Sequence, residues 1–255
     1  MPPKLVVFDL DGTLAEPFQS PSDATVDALH ALASHIPIAI LSGATFERIN
    51  SFLLDRIGEV AHNCIVMPVN AAQCYEWHET EWKKTYDETL QRDEKDTIID
   101  AIKESMKGHP FHDIEPHGET IIDREGFIAF TALGVDTPTD IRNAWDPDAS
   151  KRTKFIEKLK EYLPDYDIYV GGKTTIDIMK KGLNKAYGIR WLLKEHSLEP
   201  QQVLFVGDAL YEGGNDFPVI ETGVHVREVH DPAQTLALID SLVEKFNSTD
   251  SNSNA

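Results

Sequence analysis

Leu5-Val6-Val7-Phe8 is an unbroken apolar run that stops at Asp9-Leu10-Asp11-Gly12-Thr13-Leu14. A run without polar alternation reads as a strand buried on both faces, the mark of a parallel sheet covered by helices. Such sheets collect their ligands at the carboxyl ends of the strands, so this run delivers two carboxylates to a functional edge. Carboxylates this close repel each other unless a cation lies between them, and hard oxygen donors favour Mg²⁺. Asp9 is then a candidate nucleophile, because a carboxylate beside a metal can attack phosphorus and divide a slow hydrolysis into two easier steps. Gly12 lets the chain turn away tightly.

Three later segments supply further pieces, two of them buried runs that end in polar residues. Ile36-Pro37-Ile38-Ala39-Ile40-Leu41 ends in Ser42-Gly43, with a helix expected from near Thr45. The Ser42 hydroxyl can donate to a phosphoryl oxygen, aided by backbone N–H groups at the helix start. Lys185 stands near the start of a helix implied by Leu183, Ala186, Ile189, Leu192 and Leu193, where it can neutralise charge shared by a phosphoryl group and its nucleophile. Val203-Leu204-Phe205-Val206-Gly207-Asp208 is followed by Gly213-Gly214-Asn215-Asp216, and these two further carboxylates can complete a Mg²⁺ site.

Taken together, the four segments resemble the motifs of the haloacid dehalogenase superfamily of aspartate-nucleophile phosphotransferases. The resemblance implies that Asp9 becomes phosphorylated and that Asp11 is the general acid and base toward the alcohol. It implies that Ser42 and Lys185 hold the phosphoryl group, with Gly43 at the substrate site. Asp208 would bind Mg²⁺ together with Asp9 and the Asp11 backbone carbonyl, and Asp216 would support the metal. Lys181 competes with Lys185 for the lysine role, but Asn184-Lys185 better fits a lysine at a helix start.

The fold class expected is α/β: a doubly wound, parallel-sheet core interrupted by an insert. The core takes residues 1–84 and 185–246, the insert 85–184, and a Ser/Asn-rich tail of residues 247–255 is expected to be disordered. Asn70 to Lys84, with Trp77 and Trp82, reads as a hairpin leaving the core. Within the insert a charged helix is expected over Tyr86 to Met106, then two strands around Glu125-Gly126, a helix from Ser150 to Tyr162, and short strands Ile168–Val170 and Thr175–Ile178 hinged at Gly171-Gly172. This is an α+β cap. Its size and place resemble the type IIB subclass, and the likeness extends over nearly the whole chain to eukaryotic-type phosphomannomutases. Met67-Pro68-Val69-Asn70-Ala71 resembles their proline–glutamate–asparagine–glycine segment. Gly171 to Ile178 resembles their substrate-binding cap segment, which implies that Asp177 and Thr175 meet sugar hydroxyls; Asp123-Arg124-Glu125-Gly126 and Arg142 fall where phosphate-binding arginines lie.

Two departures separate the chain from those mutases. Gly134 is followed by Val135 where they carry an arginine, and Glu16-Pro17-Phe18-Gln19 replaces an arginine-bearing first loop. A mutase must grip the distal phosphate of a bisphosphate while the sugar turns, and arginine forks do that best. The expected activity is therefore a Mg²⁺-dependent sugar phosphatase, with phosphomannomutase as the alternative and a non-catalytic phosphosugar binder behind both.

Composition sets the outer limits. The chain has 255 residues, 41% of them hydrophobic, and carries 43 acidic against 24 basic residues for a net charge of −19. Without a basic cluster, nucleic acid is not an expected partner. No run approaches the roughly 20 apolar residues of a membrane span, and Met1-Pro2-Pro3-Lys4 leads directly into the first run, so a cytoplasmic protein without signal peptide or membrane contact is expected, with a homodimer possible in principle. Cys64 and Cys74 are expected to stay reduced. His109, His112 and His117 lack a regular ligand spacing and read as a polar loop.

Overall fold

The structure, a computed structural model, describes the backbone of residues 2–253 and the side chains of residues 2–248. The chain forms two compact units, residues 1–87 with 183–255, and residues 88–182. The division thus falls three residues later on the first side, and two earlier on the second, than the expected 84/85 and 184/185.

The first unit is built on a seven-stranded sheet. In chain order its elements are β1 (Leu5–Phe8), α1 (Asp23–Ala33), β2 (Ile38–Leu41), α2 (Phe46–Ile49), α3 (Asp55–Ile57), β3 (Cys64–Met67), the one-turn α4 (Pro68–Ala71), β4 (Gln73–His78) and β5 (Glu81–Asp87). After the second unit the chain returns with α8 (Lys185–Glu195), β10 (Val203–Gly207), β11 (His225–Glu228) and α9 (Pro232–Ser253). The spatial order is β11-β10-β1-β2-β3-β4-β5, parallel from β11 to β3. Val6, Val7 and Phe8 are fully enclosed, their side chains alternating between two apolar layers. One layer packs on α1 and α9, the other on α8. Continuous burial on both faces is why β1, β2, β3 and β10 lack polar alternation.

The hairpin does not leave the core. β4 pairs antiparallel with β3 and β5 with β4, widening the core sheet. The reversal is made by α4, whose Val69, Asn70 and Ala71 have φ of 53°, 55° and 69°. Three successive left-handed residues other than glycine are rare and strained. Trp77 and Trp82 are cross-strand partners in edge contact with ring centroids 5.5 Å apart, so each covers the other on the hairpin. Cys64 and Cys74 are buried free thiols, which burial pushes up in pKa. Helix α9 runs past Asn247 to Ser253, where the composition led to the expectation of a disordered tail; Asn254 and Ala255 lie outside the described residues.

The second unit contains α5 (Arg92–Met106), β6 (Ile121–Asp123), β7 (Phe127–Thr131), α6 (Thr139–Trp145), α7 (Ser150–Tyr162), β8 (Tyr166–Val170) and β9 (Thr175–Lys180). The strands form an antiparallel sheet in the order β6-β7-β9-β8. Helix α5 starts at Arg92 rather than Tyr86, because Tyr86 and Asp87 are ladder partners of Cys74 and Gln73 and a Gln91/Glu94 capping box opens the helix. Ile128, Phe130, Ile176, Ile178 and Ile168 pack against α5 and α7 through Ile98, Ile102, Phe155 and Leu159. Period-2 alternation leaves Asp177, Thr175 and Tyr169 on the other face of that sheet. No helix among the described residues is long and apolar enough to cross a membrane.

Candidate functional site

Asp9, Ser42 and Asp208 each stand one residue past the end of a parallel strand, β1, β2 and β10. The register pairs Phe8 with both Val206 and Ile40, which sets the three strand ends side by side. The chain leaves β1 toward β2 on one side and returns to β10 on the other, a topological switch point where open α/β sheets form a crevice. Asp9 N–H donates to Val206 O at 2.9 Å and Ser42 N–H to Met67 O at 3.1 Å, so the ladder continues one residue into the site. The Ser42 hydroxyl accepts from Ala44 N at 3.1 Å, leaving its own proton free for an acceptor. Gly43 lies against Asn70: a Cβ there would sit 3.5 Å from Asn70 Oδ1, a buried oxygen without a protein partner.

Lys185 links the two motifs farthest apart in sequence. It is the first residue of α8, whose N-cap Asn184 accepts from Tyr187 N at 3.2 Å. Its ammonium is fully enclosed and donates to Asp9 Oδ1 at 2.7 Å and Asp216 Oδ1 at 2.5 Å. Burial alone would push the ammonium down in pKa, but the Asp9 and Asp216 charges outweigh it and hold the group above its usual range. Asp9 moves the other way. Burial raises its carboxyl to about 7, against the pull of Lys185 and with the help of Asp216. Lys181 is the exposed one of the two lysines; its ammonium donates to Pro164 O at 3.1 Å within the second unit.

Carboxylate oxygens of Asp9, Asp208 and Asp216 all lie within 4.8 Å of one another. Two glycines make that approach possible. A Cβ on Gly12 would lie 2.5 Å from Asp208 Oδ2, and one on Gly207 would overlap Asp216 Oδ2. Thr13 Oγ1 donates to Asp208 Oδ1 at 3.3 Å, and Ala209 N to Asp216 Oδ2 at 3.0 Å. Three carboxylates against one ammonium leave two uncompensated negative charges in a largely buried place, and hard oxygen donors around such a deficit fit a dication of the Mg²⁺ kind.

The Asp11 carboxylate is outside that trio. It takes a bidentate fork from Arg48, Nη2 to Oδ1 at 2.6 Å and Nη1 to Oδ2 at 3.0 Å, and a bond from Phe18 N to Oδ1 at 2.8 Å. Arg48 was not singled out from the sequence. Its only signal is position: Thr45 caps α2, accepting from Arg48 N at 3.4 Å, which sets Arg48 on the first turn after a strand end of the site.

In the second unit the structure brings together Asp177, Thr175 and Arg124. Burial raises the Asp177 carboxyl to about 6, opposed by a hydrogen bond from Thr175 and by the charges of Arg124 and Arg152. A Cβ on Gly171 would lie 2.6 Å from both Asp177 carboxylate oxygens, so the Gly171 turn wraps the acid closely. The second cation near Asp177 is Arg152; Arg142, expected as a phosphate-binding arginine, sits on α6 with its guanidinium donating to Thr139 Oγ1 at 3.4 Å. Arg152 is buried and its Nη1 donates to Gly171 O at 2.9 Å and Gly172 O at 2.6 Å, while its Nε holds Asp146 Oδ2 at 2.9 Å. Nothing in the local sequence Ser150-Lys151-Arg152-Thr153 marks one of its cations as buried. Val135 is exposed after Gly134, where a Cβ would overlap the His117 carbonyl.

Residues 25–245 match the family described as eukaryotic phosphomannomutase. The chain is 26% identical over 259 aligned positions to a phosphomannomutase of Encephalitozoon cuniculi, covering 95% of this chain and 94% of that one. It is 23% identical over 257 positions to a phosphomannomutase of Arabidopsis thaliana, covering 95% and 97%. Among solved structures, IMP-bound IMP-nucleotidase of Plasmodium falciparum, truncated at its N-terminus, aligns with a TM-score of 0.68 at 16% identity, covering 95% of this chain and 68% of that one. Trehalose-6-phosphate phosphatase of Aspergillus fumigatus aligns at 0.64 and 15% identity, covering 94% and 92%. At these identities the two structures establish a shared fold.

Proposed function

The chain belongs to the eukaryotic phosphomannomutase family, and from that premise we propose that it is a Mg²⁺-dependent phosphotransferase that takes the phosphoryl group of a sugar phosphate onto Asp9 and passes it to water. The observation that carries this reading is the cluster at the strand ends, Asp9 and Asp216 joined by an enclosed Lys185 with Asp208 alongside. A buried, unbalanced group of charges is costly for a fold, and here it lies at the switch point where such sheets bind ligands.

The roles follow from the donors and acceptors. Asp9 attacks phosphorus, the bond from phosphorus to the sugar oxygen breaks, and Asp11 gives that oxygen a proton. Lys185 and the Ser42 hydroxyl meet the charge that spreads over the phosphoryl oxygens. Asp11 then takes a proton from water as the water attacks phospho-Asp9, restoring the carboxylate and releasing phosphate. Asp9, Asp208 and Asp216, with the Asp11 backbone carbonyl, would hold Mg²⁺, which supplies charge to the phosphoryl oxygens when bound. On the second unit, Asp177 and Thr175 would accept and donate bonds to sugar hydroxyls, with Arg124 and Arg142 supplying positive charge for an anionic substrate.

The second reading is the mutase, in which phospho-Asp9 returns its phosphoryl group to the sugar. The names of the relatives favour it; Val135 in the place of an arginine and the first loop without one favour hydrolysis. Mannose 1-phosphate and glucose 1-phosphate, assayed with and without a hexose 1,6-bisphosphate, separate the two. Hydrolysis predicts Mg²⁺-dependent phosphate release that needs no bisphosphate. Isomerisation that requires the bisphosphate and outruns phosphate release tenfold, about 1.4 kcal/mol in relative barrier, establishes the mutase instead. Absence of Mg²⁺-dependent turnover of any phosphate ester defeats both.

A further inference from the structure

We propose that Arg48 is the positioning residue of the Asp11 acid and base: it fixes that carboxylate by a two-point fork and leaves one oxygen in place to exchange the proton. The inference rests on the phosphotransferase reading above and adds to it a residue that none of the four motifs contains.

The two carboxylate oxygens of Asp11 are not equivalent. Asp11 Oδ1 receives two short bonds, from Arg48 Nη2 at 2.6 Å and Phe18 N at 2.8 Å, while Oδ2 receives a single longer one, from Arg48 Nη1 at 3.0 Å. Each carboxylate oxygen can accept about two bonds, so Oδ1 is saturated and Oδ2 retains capacity. Oδ2 is thereby the oxygen that gives a proton to the leaving alcohol and later takes one from water. A planar guanidinium also defines the plane of the carboxylate, which a lysine's point charge does not.

Arg48 is itself held. Its guanidinium carbon lies 5.3 Å from the ring centroids of both Phe18 and Phe52, and its side chain is 21% exposed. Phe18 is 83% exposed and has a φ of 64°, a left-handed backbone at a bulky residue. An aromatic ring left in solvent on a strained backbone is unexplained by core packing. It is explained by what the strain achieves, since the same residue covers Arg48 with its ring and reaches Asp11 with its N–H. The first loop, which has no arginine of its own, thus receives one from α2.

Positioning has a kinetic signature that binding and folding lack. A misplaced acid harms a poor leaving group more than a good one, because only the poor one needs its proton in the transition state. Phenyl phosphate and 4-nitrophenyl phosphate have nearly the same shape and differ in leaving-group basicity, and kcat/KM reports the step in which that group departs. The ratio of the two kcat/KM values is independent of how much of a variant is folded. Arg48→Ala is expected to raise the preference for 4-nitrophenyl phosphate at least fivefold over wild type, and Asp11→Asn to raise it by as much or more. The double variant is expected to match Asp11→Asn alone. Arg48→Lys is expected to recover less than half of the lost phenyl phosphate activity, and added guanidinium ion to shift the ratio of Arg48→Ala back toward wild type.

A ratio unchanged in Arg48→Ala while Asp11→Asn moves it overturns the proposal, as does a double variant in which the two effects multiply. A ratio that neither variant moves removes the acid role of Asp11 and the proposal with it. Absence of Mg²⁺-dependent turnover of either ester by the wild type fails the phosphotransferase reading itself, which is a separate result.

Discussion

Each unit of this protein buries a cation against a carboxylate, and the two arrangements end differently. In the first, Lys185 is enclosed between Asp9 and Asp216 with Asp208 nearby. In the second, Arg152 is 4% exposed against an Asp146 that is fully enclosed. The Arg152 pair is balanced, one charge against one, and the guanidinium spends its remaining donors on the carbonyls of Asp146, Gly171 and Gly172. Both Asp146 oxygens are engaged, Oδ1 accepting from Lys151 N at 2.9 Å and Oδ2 from Arg152 N at 3.1 Å as well as from the side chain. Such a closed pair fixes a turn. The Lys185 cluster is short of positive charge and open to a further cation, and an incomplete buried site of this kind is one built to receive something.

The sharpest way to break the comparison is to remove the nucleophile of the open cluster. Asp9→Asn keeps the shape and removes a carboxylate, so turnover of any phosphate ester is expected to fall by about 10⁴-fold or more. The fold should persist, since the change also relieves part of the excess negative charge. The acid-quenched wild type, examined by mass spectrometry after exposure to substrate, should carry a phosphoryl group that the variant lacks. Wild-type activity in Asp9→Asn assigns the chemistry to another residue.

Breaking the closed pair should act on stability instead. Arg152→Met leaves Asp146 buried without its ion pair and the Gly171 and Gly172 carbonyls without the guanidinium donor, a loss of about 3–5 kcal/mol. Thermal denaturation should show it, and limited proteolysis should place the first cleavages within residues 88–182. By contrast, Mg²⁺ should raise the melting temperature of the wild type, and Asp208→Asn should abolish most of that rise. A melting temperature of Arg152→Met within a degree or two of wild type makes the pair ornamental; a Mg²⁺ shift retained in Asp208→Asn places the ion elsewhere.

The same contrast explains what could be read from the sequence. Asp9, Ser42 and Asp208 were legible because each ends a continuous apolar run, a fixed place in an α/β sheet, while Lys185 was marked by the helix start at Asn184-Lys185 and Asp216 by the Gly213-Gly214-Asn215-Asp216 segment just beyond Asp208. Arg48 and Arg152 were not, since they lie inside charged helical stretches where periodicity does not distinguish a buried guanidinium from a solvated one. The hairpin was read correctly as two strands but wrongly as leaving the core. Its direction depends on the left-handed turn at Val69, Asn70 and Ala71, a conformation that residues other than glycine do not announce. Tyr86 misled for a related reason: its spacing from Leu90 imitates a helical face, while a ladder partner on β4 claims it for a strand.

The smallest expected effect concerns Asp177, and it tests whether the second unit also holds an acid against its own stability. Its carboxyl is raised to about 6 from a model-compound value of 3.8, mainly by burial. A raised carboxyl means that the folded chain binds the proton more tightly than the unfolded one, so stability from this group is fully present below pH 4 and is lost as pH rises through 6. Asp177→Asn imitates the protonated form. At pH 7.5 the variant should therefore be more stable than wild type by on the order of 1 kcal/mol, the partial exposure of the site reducing the full shift. The advantage should vanish near pH 4. Asp177→Ala should at the same time cost a sugar phosphate far more activity than phenyl phosphate, because only the sugar presents hydroxyls to that acid. Equal losses on both esters, or a stability difference that does not change between pH 4 and 7.5, would leave Asp177 as an ordinary residue of a half-covered sheet and confine the recognition of substrate to the other unit.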